Sequence, residues 1–124
     1  MPNKQPTLCN CLYFTANSLA RIITRMAEEE FKVTGLSPSH AFLIMVVNDN
    51  PGVVQKKLCQ YLQLAPSTVT RFIDTLVYKG FLTREIEGKT SKIHPTSQGK
   101  KLQKQIASAW NNLYTRYGKK LGMK

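Results

Sequence analysis

The stretch QKKLCQYLQLAPSTVTRFIDTLVYKGFLTREIEGKTSKIHP, residues 55–95, decides the fold. Its first part reads as a short amphipathic helix from about Val54 to Leu62, with Leu58, Cys59 and Leu62 inward. LQLAP makes a tight turn. A second helix starts near Pro66 or Ser67 and stops at Gly80. Val69, Phe72, Ile73, Leu76 and Val77 recur at helical spacing and form its buried stripe. Its opposite side carries Ser67, Thr68, Thr70, Arg71, Asp74 and Thr75. Phe81–Ile86 and Ser91–His94 read as two strands, with Glu87-Gly88-Lys89-Thr90 as the tip. Two helices about a tight turn, followed by a small hairpin, predict a winged helix-turn-helix, a shape that presents its second helix to the DNA major groove.

Outward from this unit the pattern is helical. Leu12, Leu19, Ile22, Ile23, Met26 and Phe31 predict a helix over Leu8–Val33, closed by Gly35. Ser37 caps the next helix with Pro38 in its first turn. Phe42, Leu43, Met45, Val46 and Val47 make that helix apolar nearly all round, so it is expected to be buried. Asn48–Gly52 is a turn. Thr96 caps a last helix carrying Leu102, Ile106, Ala109, Trp110, Leu113 and Tyr117, ended by Gly118. The expected class is mainly α (α+β), a single domain over residues 1–124, with 36–95 as the winged part and 8–33 and 96–118 as flanking helices.

The net charge of +11 is unevenly placed. Residues 1–50 are balanced, with four Lys/Arg against four Asp/Glu. Residues 51–99 carry seven against three, and residues 100–124 seven against none. The excess lies on and after the proposed reading unit, as an electrostatic footprint on DNA requires. A merely soluble basic surface would give the same balance. The longest apolar run, Ala41–Val47, is too short to span a bilayer, and the polar N-terminus with Pro2, Lys4 and Pro6 has no secretory pattern. The expected location is cytoplasmic, which three cysteines, an odd number, also fit.

Enzyme classes are disfavoured. There is no Ser/His/Asp grouping, no phosphate-cradling glycine loop and no carboxylate pair in an apolar run, and Glu28-Glu29-Glu30 reads as a solvated helix turn. No cofactor is expected. Cys9-x-Cys11 with His40 or His94 is not a compact ligand pattern, so no metal is expected. His40 is placed as a partly exposed residue in the first turn of its helix, and His94 as a side chain of the wing strand. The outward face of the second helix suits nucleic acid instead. Serine and threonine hydroxyls donate to phosphates or base edges, and Arg71 reaches guanine O6 and N7 with two parallel bonds. The helix N-terminus adds N–H groups and a positive dipole. The alternative is a winged helix used for protein–protein assembly without DNA readout. Such modules usually lack a polar, arginine-bearing face beside a basic wing.

LAPSTVTRFIDTLVYKGFLTR (64–84), with GLSPSHAFLIMVV (35–47), PGVVQKKL (51–58) and PTSQGKKL (95–102), resembles the multiple-antibiotic-resistance regulator (MarR) family in order and spacing. The resemblance runs from Leu8 to about Tyr117. It implies a homodimeric transcription regulator, here expected to be a repressor, whose first and last helices dimerise. It implies Pro66, Ser67, Thr68, Thr70 and Arg71 as recognition-helix contacts, and Gln55, Arg84, Lys89 and Lys92 as contacts to backbone or minor groove. The implied partner is double-stranded DNA with a roughly palindromic operator. Two departures stand out. The hairpin, IEGKTSK, is about three residues shorter than the family's, and Lys89 stands nearest to the arginine of its Asp-x-Arg motif, without arginine's fork. Family members also continue into a further helix beyond the position of Gly118.

The resemblance also implies an effector: the family commonly binds small aromatic or phenolic ligands, and some members sense peroxides through a cysteine near the start of the first helix. Tyr13, Phe14, Phe31 and Phe42 are the candidates for an effector cavity, and each serves equally as core. Cys9 and Cys11, at the start of the first helix, are candidate redox thiols or small apolar residues at a dimer interface.

Overall fold

The computed structural model describes residues 8–121, with side chains described for 11–119. Helix α1 spans Leu8–Phe31 and passes into a 3-10 turn, Lys32–Thr34. The sequence reading ran α1 on to Val33. The tightening has a cause: Thr34 Oγ1 donates to Phe31 O at 2.6 Å and accepts from Leu36 N at 3.1 Å. Gly35 closes the segment in the left-handed region at φ 74°. Helix α2 (Pro38–Asp49) is capped as expected, with Ser37 Oγ accepting from His40 N. Its Ala41, Leu43, Ile44, Val46 and Val47 are buried.

A two-residue strand that the sequence reading lacked, β1 (Val53–Val54), precedes α3 (Gln55–Leu62). Helix α4 (Pro66–Tyr78) follows after a three-residue turn, and Gly80 closes it at φ 88°. Strands β2 (Leu82–Glu87) and β3 (Thr90–Pro95) form the hairpin. Its tip is only Gly88-Lys89, with glycine at φ 61° in the first turn position. β1 adds to the other edge of β3, giving an antiparallel sheet in the order β1-β3-β2. Two isolated residues were too short for an alternation signal. They hold because Val53 pairs with Ile93 and Val54 with Lys92.

The expected last helix is two helices. Thr96 Oγ1 caps α5 (Ser97–Lys101) by accepting from Gly99 N at 3.1 Å. The helix breaks at Leu102, and α6 runs over Gln103–Leu121 straight through Gly118. Gly118 therefore does not end the helix. A glycine interrupts a helix by roughly 1 kcal/mol, too little against continued backbone bonding.

One core joins the parts. Phe31 of α1, Val47 of α2, Leu58 of α3, Ile73 and Leu76 of α4, Leu82 and Ile93 of the wing and Ile106 and Leu113 of α6 are fully buried or nearly so. α1 reaches this core only through its C-terminal third. Met26, Ala27 and Phe31 are buried, while Leu12, Leu19 and Ile22, which recur at helical spacing, are exposed in the protomer. No helix among the described residues is long and apolar enough to cross a membrane.

Candidate nucleic-acid interface

Helix α4 is seated by Val69, Ile73 and Leu76. At 100° per residue, that inward stripe turns Ser67, Arg71, Asp74, Thr75 and Tyr78 outward, and all five are exposed. Arg71 makes no ion pair among the described residues. Thr68 and Thr70, expected on the same face, are half-buried at its margin. Thr70 is already engaged: its hydroxyl donates to Pro66 O at 2.9 Å and accepts from Gln55 Nε2 at 2.7 Å. Gln55 and Thr70 thus fix the angle between α3 and α4 in the free protein.

The wing residues are likewise held. Arg84 Nη2 lies 2.7 Å from Asp74 Oδ1, tying β2 to α4. Lys92 Nζ lies 2.6 Å from Glu87 Oε1, which lowers the carboxyl pKa and raises that of the ammonium through the hydrogen bond and the charge attraction. His94 Nε2 meets Glu85 Oε1 at 2.9 Å. Lys89 is exposed at the tip. Gln55, Pro66 and Lys89 come together. With Val54, Lys56, Cys59, Thr90 and Ser91 they line a hollow of about 460 Å³ between α3 and the wing. Cys59, read as core, is half-buried and lines this hollow. The helix is only eight residues long, and its one fully buried side chain is Leu58.

A second hollow, of about 440 Å³, lies beside α4 and is lined by His40, Arg71, Phe72, Asp74 and Thr75. His40 Nδ1 is 2.7 Å from Ser37 Oγ, and its ring packs on Phe72 at 4.5 Å between centroids. Its Nε2 is buried without a partner among the described residues. Loss of hydration, then the nearby Lys79 charge, hold the imidazole below its ordinary range.

Sequence reasoning did not carry Tyr78 onto the outward face of α4. It is 92% exposed and completes the outward stripe. The signal was present, since 67, 71, 74 and 78 are spaced as one helix face, but Tyr78 was assigned to neither the buried stripe nor the opposite side.

The four effector candidates do not meet. Phe31 and Phe42 pack edge-to-face on Trp110 at 5.1 and 5.7 Å, inside the protomer. Tyr13 and Phe14 pack on each other at 5.4 Å and are 64% and 68% exposed. Eighteen residues of helix, about 27 Å, separate Tyr13 from Phe31. The Trp110 Nε1 donor is buried without a partner among the described residues. Cys11 is free and exposed, whereas the side chain of Cys9 lies outside the described residues. No group of three or more potential metal ligands occurs among the described residues. Glu29 and Glu30, read as solvated, both take the Arg116 fork at 2.9 Å, which also reaches Met26 O and joins α6 to α1.

Residues 34–92, from the end of the 3-10 turn to β3, match the model of the MarR family. An uncharacterized HTH-type transcriptional regulator of Bacillus subtilis, YybA, is 30% identical over 87 residues, covering 68% of this chain and 58% of the relative. The chain belongs to the MarR family. This is a family of transcription regulators, not of enzymes. Solved MarR-type structures share the fold. The S. aureus MepR–DNA complex superposes with a TM-score of 0.78 at 14% identity, over 86% of this chain and 81% of that one. CouR from Rhodococcus jostii, bound to p-coumaroyl-CoA, gives 0.77 at 18% identity, over 92% and 82%. At such identities the likeness is one of fold: a mainly helical chain with a small antiparallel sheet, the winged helix of this MarR-family protein.

Proposed function

We propose that this MarR-family chain is a sequence-specific DNA-binding repressor, active as a homodimer and released from its operator by a small ligand or by oxidation. The observation that carries the reading is the outward stripe of α4, where Ser67 and Arg71, which makes no ion pair among the described residues, stand clear of a helix whose other side is locked into the core. Arg71 reads a guanine edge, Ser67 and the helix N-terminus take phosphate, and Lys89 and Lys56 flank the strand. Residues 36–95 form the reading part. Residues 8–33 and 96–118 supply the dimer contacts, supported by the exposed apolar side chains of α1 and by Tyr114 on α6. Two copies about a two-fold axis take a pseudo-palindromic operator.

The effector reading is supported by the indole N–H of Trp110, which is buried beside Phe31 and Phe42 without a partner among the described residues. The coumaroyl-CoA complex of CouR is a relative of the fold with a bound ligand. The exposed Cys11 thiol is the described position open to oxidants.

Duplex selection followed by titration over a range of salt tests the reading. Log K is expected to fall steeply with log salt, and Arg71→Ala to weaken selected duplexes by about tenfold or more while relaxing one position of each half-site. Absence of duplex binding at low salt would refute it in favour of a protein-assembly role.

A further inference from the structure

The outward stripe of α4 contains an acid. Asp74 stands three residues after Arg71, with its side chain 56% exposed. A bare carboxylate on a surface facing a polyanion costs affinity for every sequence. This one is not bare, because Arg84 Nη2 meets its Oδ1 at 2.7 Å from β2. The Arg84 side chain as a whole is 25% exposed against 56% for Asp74, so the acid is the more open partner of the pair. With Oδ1 engaged, Oδ2 keeps its acceptor capacity. Arg71 and Asp74 open into the same hollow of about 440 Å³. Thr75, also on its wall, is occupied, since its hydroxyl donates to Arg71 O at 3.0 Å. The hollow thus presents a donor fork and an acceptor, on residues whose Cα atoms are about 4.5 Å apart along the helix axis.

We propose that Asp74 is a base-reading residue, accepting from the N4 amino group of a cytosine in the major groove, with Arg84 as the positioning residue that cancels its charge and fixes its carboxylate. The inference deepens the proposed function and rests on it. Cytosine presents the matching donor in the major groove, while guanine and thymine present acceptors that a carboxylate repels. Arg71 and Asp74 then read neighbouring base pairs with opposite hydrogen-bonding sense, and the acid adds rejection of wrong bases to the affinity supplied by the arginine.

The test is selection of bound duplexes from a random pool by wild type, Asp74→Asn, Arg84→Gln and the double variant, each first checked by thermal unfolding. Both side chains lie at the surface of their elements, so all four proteins are expected to fold. Asp74→Asn is expected to lose about tenfold preference for cytosine at one position of each half-site and to gain adenine there, which asparagine pairs with. Other positions keep their preference. Arg84→Gln is expected to weaken all duplexes alike, because the carboxylate is left uncancelled, and the double variant to recover that loss. An unchanged base profile in Asp74→Asn, or uniformly tighter binding without a change in profile, would overturn the inference while leaving the proposed function standing. Failure of wild type to bind any duplex would remove the proposed function itself.

Discussion

At the scale of single residues, most of the polar side chains around α4 are held before any partner arrives. Gln55 holds Thr70, and Arg84 holds Asp74. His40 is the titratable member of this shell. Burial first, and Lys79 second, keep its pKa below the ordinary imidazole value of 6.5, so the unfolded chain takes the proton at a higher pH than the folded one. The stability linked to His40 is therefore complete above 6.5 and is lost as pH falls from there toward the folded value. Thermal unfolding of wild type is expected to drop between about pH 7 and about pH 5 by more than that of His40→Gln, and equal drops would place the sensitive group elsewhere. The sequence marked His40 as half-exposed in the first turn of its helix, and the structure agrees. Its contact with Phe72 was not legible, because the two residues lie on different helices, α2 and α4, and meet only in the fold, not by spacing along the chain.

At the scale of elements, periodicity and punctuation were readable wherever a residue's local preference and its tertiary surroundings agree. Pro38, Pro66, Ser37, Thr96 and Gly80 all mark helix boundaries that the structure keeps. Gly118 failed as a marker because its signal is weak and α6 continues past it. The break at Leu102 was hidden because Ser97–Leu121 contains no proline. Gly99, in the first turn of α5, shows what its missing side chain is for: a Cβ there would run into the carbonyl oxygen of Phe81. Gly99→Ala is expected to destabilise the fold by about 1–3 kcal/mol, lowering Tm by about 5 °C or more in calorimetry. A Tm within a degree or so of wild type would mean that α5 shifts freely against the wing.

At the scale of the whole molecule, α1 is more than half outside the body of its own protomer. Leu12, Tyr13, Phe14, Leu19 and Ile22 stand exposed along it. Contiguous apolar surface of this kind marks an interaction face. Sedimentation of wild type is expected to show dimer at high micromolar concentration and Leu12→Glu/Ile22→Glu to show monomer with an unchanged thermal transition of the winged part. A monomeric wild type would exclude the dimer. This is also why the three effector candidates on α1 do not meet within the protomer: Tyr13 and Phe14 lie at its exposed end and Phe31 at its buried end. The join between the long helices and the reading unit is equally compact. Thr96 Oγ1 donates to Gly80 O at 2.6 Å, so the end of α4 and the start of α5 are stitched to one another, and α6 leaves from that seam. Nineteen residues of α6 make a rod about 28 Å long, so a tilt of about 10° at the seam sweeps its far end by about 5 Å. The stitch makes one joint of the two ends, so a rotation at the end of α4 would have to pass through α5 and the turn at Leu102 into a helix anchored by Ile106, Ala109 and Leu113 in the common core.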